Sequence, residues 1–238
     1  MQGERAYSVR ENRRLKHPRI MVTALGEVVV VVPPGFDCAT IPGLLRDKEA
    51  WIAEALRRRQ VAAGSEQGRQ ALLFPDKIEL RSIGELWGVE YCHKPGCMLE
   101  LEVVDRAGLR MSGDLDAHAA SAKLLQEWLK WKARDVLPGW LQRVARQHGF
   151  SYERVSVRHQ KTRWGSCSGQ GTISLNIKLL FLPSELVEHV LIHELCHTVH
   201  PNHSRAFWEL VGRCDPNTDR NRRELRLASR SMPLFLEL

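Results

Sequence analysis

The sequence predicts an α+β fold, and three observations carry that prediction. Short alternating or β-branched runs crowd the first 115 residues, the stretch from Ala117 to Arg146 places apolar side chains at helical spacing, and an almost wholly apolar segment, Leu186 to Val199, follows two further strand-like runs. Strands dominate one half of the chain and helices the other.

Taken in order, Arg19 to Ala24 and Glu27 to Val32 read as a β-hairpin about Leu25-Gly26, with Val28 to Val32 β-branched enough to be a buried strand. Ile41, Leu44, Leu45, Ile52, Ala55 and Leu56, with Trp51 beside them, predict a helix over 41–60. Val61 to Gln70 is small, polar and Gly-containing, hence a linker. Strands are expected near Lys77 to Arg81, Trp87 to Tyr91, Met98 to Val104 and Leu109 to Met111, giving a β-rich N-terminal subdomain over 1–115.

The second subdomain, 116–238, opens with the long helical stretch that carries Leu124, Leu125, Trp128, Leu129, Trp131, Leu141 and Val144. Pro138-Gly139 should kink or break it, and Gly149 should close it. Arg154 to His159 alternates as a strand, Arg163 to Gly171 is turn-rich, and Thr172 to Ile177 is a further strand. The apolar helix follows, with Pro183-Ser184 as its start and Pro201 as its stop. Ser204 then caps a helix carrying Phe207, Trp208 and Val211, and Asp215-Pro216 separates it from a final basic helix.

Composition narrows the function classes. With 238 residues, 43% hydrophobic and 26% charged, the chain can bury a proper core, and no apolar run approaches a membrane span. The N-terminus is basic without an apolar stretch behind it, so a cytoplasmic protein is expected. Its six cysteines contain no CxxC pair, and Cys92-His93-x3-Cys97 lacks a second half for a metal site. The net charge of +7 suits polyanions, yet arginines near helix C-termini complement the dipole. Nucleotide or nucleic-acid contact is thus permitted by the charge and not demanded by it.

The chemistry sits in His193-Glu194-Leu195-Cys196-His197, followed by His203. Helical residues four apart differ by about 40° in direction and about 6 Å in height, so His193 and His197 point the same way. Glu194 lies about 100° round from His193, where a carboxylate can reach a metal-bound water as general base. Were the helix to continue, position 203 would lie about 240° from His197. Pro201 disfavours helix at His200, and Asn202 tolerates a left-handed conformation, so the chain can turn and send His203 back as the third ligand. Three imidazoles on Zn2+ leave one position for water, whose pKa falls to about 7, the hallmark of a zinc hydrolase. His189 forms a competing i, i+4 pair with His193 but lacks the Glu, and is expected to support the ligands from behind or to be structural. His200 competes less well than His203, and Cys196 is expected to be a buried hydrophobe.

Arg163-Trp164-Gly165-Ser166-Cys167, Leu175-Asn176, the His193 to His197 motif, Asn202-His203-Ser204 and Phe207-Trp208 together resemble the YgjP-like metallopeptidase family, whose wider relatives are the WLM- and SprT-type zinc proteases. Trp51-Ile52 and Leu86-Trp87-Gly88 with Tyr91 look like further family positions, so the resemblance runs from about Ser8 to Trp208. It implies a small zincin: a twisted sheet beside an active-site helix and a backing helix, with zinc on His193, His197 and His203 and Glu194 as base. It also singles out the Arg163 to Cys167 turn, where Arg163, Trp164 and Ser166 are candidates for holding substrate or the oxyanion. The plainer alternative has Trp164 in the core and Arg163 in a structural ion pair. His200 stands where metzincins need Gly, which argues against that architecture. The activity so implied is cleavage of peptide or protein substrates; the alternatives are a zinc hydrolase of nucleotides or other phosphates, or a nucleic-acid-associated protein with a structural zinc.

Overall fold

In the computed structural model, residues 6–22, 26–63, 73–228 and 232–238 are described. They form two compact units, one reaching Phe74 and including Glu237–Leu238, the other Pro75–Leu236.

In the first unit, β1 (Tyr7–Glu11), β2 (Arg19–Val22) and β3 (Val28–Val32) make a sheet in the order β1-β3-β2. The central place falls to the all-valine strand, the one able to be buried along nearly its whole length. β2 and β3 pair antiparallel, as the hairpin pattern requires, with residues 23–25 outside the described set. β1, which lacks a strand pattern in the sequence, pairs parallel to β3. The helix expected over 41–60 is two helices, α1 (Ile41–Asp47) and α2 (Glu49–Ala63), separated at Lys48. Of the expected linker, 61–63 continue α2 and 64–70 lie outside the described residues. Ile52 packs on Val22 and Val28, and Ile41 on Val30 and Val32.

The second unit begins with a four-stranded sheet of β4 (Lys77–Leu80), β5 (Glu85–His93), β6 (Glu100–Val103) and β7 (Gly108–Gly113) in the order β4-β5-β7-β6. Ile78, Leu80, Trp87, Val89, Leu109 and Met111 alternate onto one face and are buried. That face is covered by α3 (His118–His148), whose Trp128 meets Trp87 edge-on at 5.1 Å. The compact units therefore divide between Phe74 and Pro75, whereas the pattern of the sequence suggested 115/116: the sheet cannot bury its apolar face without the helix that follows it.

α3 runs unbroken through Pro138 and ends at Gly149 in a left-handed conformation, so the expected break does not occur. Leu137, Leu141 and Val144 continue the buried stripe set by Leu125 and Leu129, while Arg134, whose carbonyl loses its partner, lies on the exposed side. Burying three large side chains, each worth about 1.5–3 kcal/mol, outweighs one interior proline at about 3 kcal/mol.

The remainder builds the site. β8 (Arg154–Arg158), β9 (Gly165–Cys167) and β10 (Thr172–Asn176) form a sheet in the order β8-β10-β9, parallel between β8 and β10 and antiparallel between β9 and β10. The segment read as turn-rich thus contains a short edge strand. Helices α4 (Ser184–Cys196), α5 (Arg205–Cys214) and α6 (Thr218–Ala228) complete the unit. The final basic helix expected after Asp215-Pro216 is α6, and residues 229–231 beyond it lie outside the described residues. Both sheets, α3, α4 and α5 share one core.

Candidate metal centre

α4 is buried along Leu186, Val187, Val190, Leu191, Ile192 and Leu195, so its register is held by packing on several sides. Its last turn carries His193, and His197 follows as the C-cap, still in the right-handed helical region. Both imidazoles thereby keep the one-turn offset expected of them.

The reversal that returns His203 uses tight turns: the amides of Thr198, Val199 and His200 donate to the carbonyls of Leu195, Cys196 and Cys196 at 3.0, 3.1 and 2.9 Å. Among the described residues only glycines have positive φ, so Asn202 does not adopt the left-handed conformation expected of it. A run of shared helix-end carbonyls turns the chain without it. Ser204 then caps α5, its hydroxyl accepting from the Phe207 amide at 3.4 Å.

The three imidazoles converge. Nε2 of His193 and Nε2 of His203 are 3.1 Å apart, and one ring nitrogen from each of His193, His197 and His203 lies within 4.8 Å of the others. Two nitrogens each about 2.0–2.1 Å from a tetrahedral zinc would be about 3.3 Å apart, so the spacing fits this ion. His197 Nδ1 lies 3.1 Å from the His200 carbonyl, which leaves Nε2 as the ring nitrogen available to an ion. His200 thus contributes its carbonyl and not its ring. Buried Phe207 floors the cluster, stacked on His197 at 4.4 Å, and Trp208 is stacked on His203 at 5.5 Å. Burial lowers the pKa of His193 to about 3 and also lowers that of His197, keeping both neutral as ligands must be.

Glu194 is buried, and its Oε2 has no hydrogen-bond partner among the described residues. Burial raises its pKa to about 8, against the opposing pull of Arg163. β9 passes directly over it: a Cβ at Gly165 would lie 2.8 Å from Glu194 Cγ and Oε1. Only glycine leaves this carboxylate its place.

Asn176, quoted in the sequence pattern without a role, explains the course of the chain into β9. Its Nδ2 donates to the carbonyls of Gln160 and Arg163 at 2.7 and 2.6 Å, and its amide donates to the Trp164 carbonyl at 2.9 Å. Arg163 is exposed, with its field on Glu194 and no ion pair among the described residues. Trp164 packs against the core. Ser166 alternates away from Gly165, onto the face it shares with its ladder partner Ser174, and so points away from Glu194.

His189 is buried, with Nδ1 2.5 Å from Asp215 Oδ2, and the same oxygen accepts from Asn221 Nδ2 at 2.9 Å. The expected structural histidine is thus a tie between α4 and the start of α6. Asp215 was legible only as a helix separator; its partner lies 26 residues away.

The family model described as YgjP-like, metallopeptidase domain, matches residues 16–228. The chain belongs to the YgjP-like metallopeptidase family. A solved structure, the metallopeptidase zymogen abylysin of Pyrococcus abyssi, is 28% identical over a match covering 38% of this chain and 96% of that one, with a TM-score of 0.32. Comparison with curated proteins gives no significant match.

A second cluster in this YgjP-like chain also meets the spacing of a metal site: His93, Asp114 and Asp116. Two of its three groups are already engaged. His93 Nδ1 accepts from the Leu115 amide at 3.2 Å, and the two oxygens of Asp114 accept from the amides of Asp116 and Gly96 at 3.2 and 3.4 Å. Cys92 and Cys97 are exposed and belong to neither cluster. Among the described residues no helix is long and apolar enough to cross a membrane.

Proposed function

We propose that this protein is a zinc-dependent peptidase in which His193, His197 and His203 hold the ion and Glu194 is the general base. The observation that carries the reading is the convergence of three imidazoles, one ring nitrogen of each within 4.8 Å of the others, next in sequence to a buried carboxylate with an oxygen unpartnered among the described residues. A bound zinc would supply polarisation of the scissile carbonyl and an acidified water. Glu194 Oε2 takes the proton released on attack and returns it to the leaving amine. The burial of Glu194 under β9 keeps the carboxylate from swinging away between the two transfers.

β9 is an edge strand, paired only with β10 among the described residues, and it passes over the base. An extended peptide adding to that edge would lay a scissile bond along the site. Arg163, brought to the rim by the Asn176 hydrogen bonds, is proposed to face the developing negative charge. A structural zinc is disfavoured because, among the described residues, three candidate ligands gather here and closed structural sites use four. The free thiols are in keeping with a cytoplasmic setting.

The test is the zinc-loaded protein against casein-type peptides and against nucleoside triphosphates. Peptide cleavage that disappears in Glu194→Gln while zinc stays bound is the expected result. Turnover of triphosphates with no peptide cleavage would replace this reading by phosphate hydrolysis, to which the exposed Arg163 would then belong.

A further inference from the structure

On α6, outside every motif described above, Arg222 reaches back to the metal centre. Its Cζ sits 4.0 Å from the centroid of the Trp208 ring. The same indole is stacked at 24° on His203, and its centroid is 5.7 Å from that of His193. A guanidinium held over an aromatic face is oriented by that face and still has its N–H groups to offer.

Among the described residues those donors make no hydrogen bond. The carboxylate nearest to hand among the described residues, Asp219, stands 3.8 Å away, beyond hydrogen-bonding distance. By contrast Arg220 on the same helix is bound to Glu224 at 2.8 Å, and Arg205 on α5 to Glu209 at 2.7 Å. The Arg222 side chain is 42% exposed, so an incoming ligand can reach it.

We propose that Arg222, steadied by Trp208, is a specificity-determining residue that binds a substrate carboxylate within about three residues of the scissile bond, each extended residue spanning about 3.4 Å. The inference rests on the peptidase reading and adds to it a substrate class: peptides that are acidic beside the cleavage point or end there. The carboxylate can be an Asp or Glu side chain or a free C-terminus.

The experiment uses the full-length, zinc-loaded chain and one cleavable peptide carrying Glu or Gln at each of the three positions on either side of the bond, with the C-terminus as free acid or amide. At one position, or at the free terminus, the carboxylate form should be cut with a kcat/KM at least about tenfold above its neutral counterpart, as a hydrogen bond to a charged group is worth. Arg222→Gln should bring that ratio to within about twofold of one, and Arg222→Lys, which keeps the charge without the fork, should fall between. A ratio in Glu position variants assigns a side-chain carboxylate; a ratio only between acid and amide assigns the terminus. Equal cleavage of charged and neutral peptides, or a preference untouched by Arg222→Gln, overturns the assignment. If zinc is bound and neither peptide is cut, the peptidase reading itself falls, and this inference with it.

Discussion

Among the described residues, two groups of three ligand-type side chains meet the spacing of a metal site, and they differ in almost everything else. His193, His197 and His203 stand on a buried helix end and the loop behind it, on an aromatic floor, with the Nε2 atoms of His193 and His203 3.1 Å apart. His93, Asp114 and Asp116 stand at the surface beside the end of β7, where His93 and Asp114 receive backbone amides. Proximity alone does not make a metal site. Donor atoms must be free of other hydrogen bonds, and the surroundings must make leaving them unpaired costly.

The contrast breaks most sharply at Glu194. Glu194→Gln should lower peptide turnover by about 10²–10⁴-fold while zinc content stays at one per chain, as read by elemental analysis beside a peptide assay. Near-normal turnover would return this cluster to a merely structural status. Next in size, His203→Ala should weaken zinc binding by about a hundredfold or more in a chelator competition, whereas His93→Ala should leave it unchanged. Loss of the metal from the His93 variant would invert the comparison.

Gly165→Ala sharpens it from the side of the base. The new methyl lands 2.8 Å from Glu194 Cγ, and the carboxylate must move; kcat should fall by about 10–100-fold with zinc affinity retained. Unaltered kcat in a zinc-loaded variant would mean that β9 does not position the base. The smallest effect belongs to the surface cluster. Asp114→Ala removes an acceptor for two turn amides and should cost about 1 kcal/mol in denaturant unfolding without touching zinc stoichiometry.

Much of the site is legible locally. The placement of His193, His197 and Glu194 follows from helical periodicity, and the return of His203 from a stop just before it, although the turn is made without the left-handed Asn202 that the residue type suggested. Ser166 shows the limit of such reading: its motif is beside the base, but the parity of a three-residue strand turns its side chain to the other face. Arg163 and Asn176 show it again, since a side chain 13 residues away holds the Arg163 carbonyl and so the entry to β9.

The amino-acid order by itself determined the α+β class, the positions of most strands and helices, and the three imidazoles with their acidic neighbour, because periods of two and 3.6 residues and helix-end signals act over a few residues. Tertiary structure alone decided the rest. Only there does β1 join β3, α3 run through Pro138, the sheet of β4 to β7 merge with the helical core, and Arg222 arrive over Trp208. Each of these is settled by burial or charge shared between segments far apart in the chain, where no local preference operates.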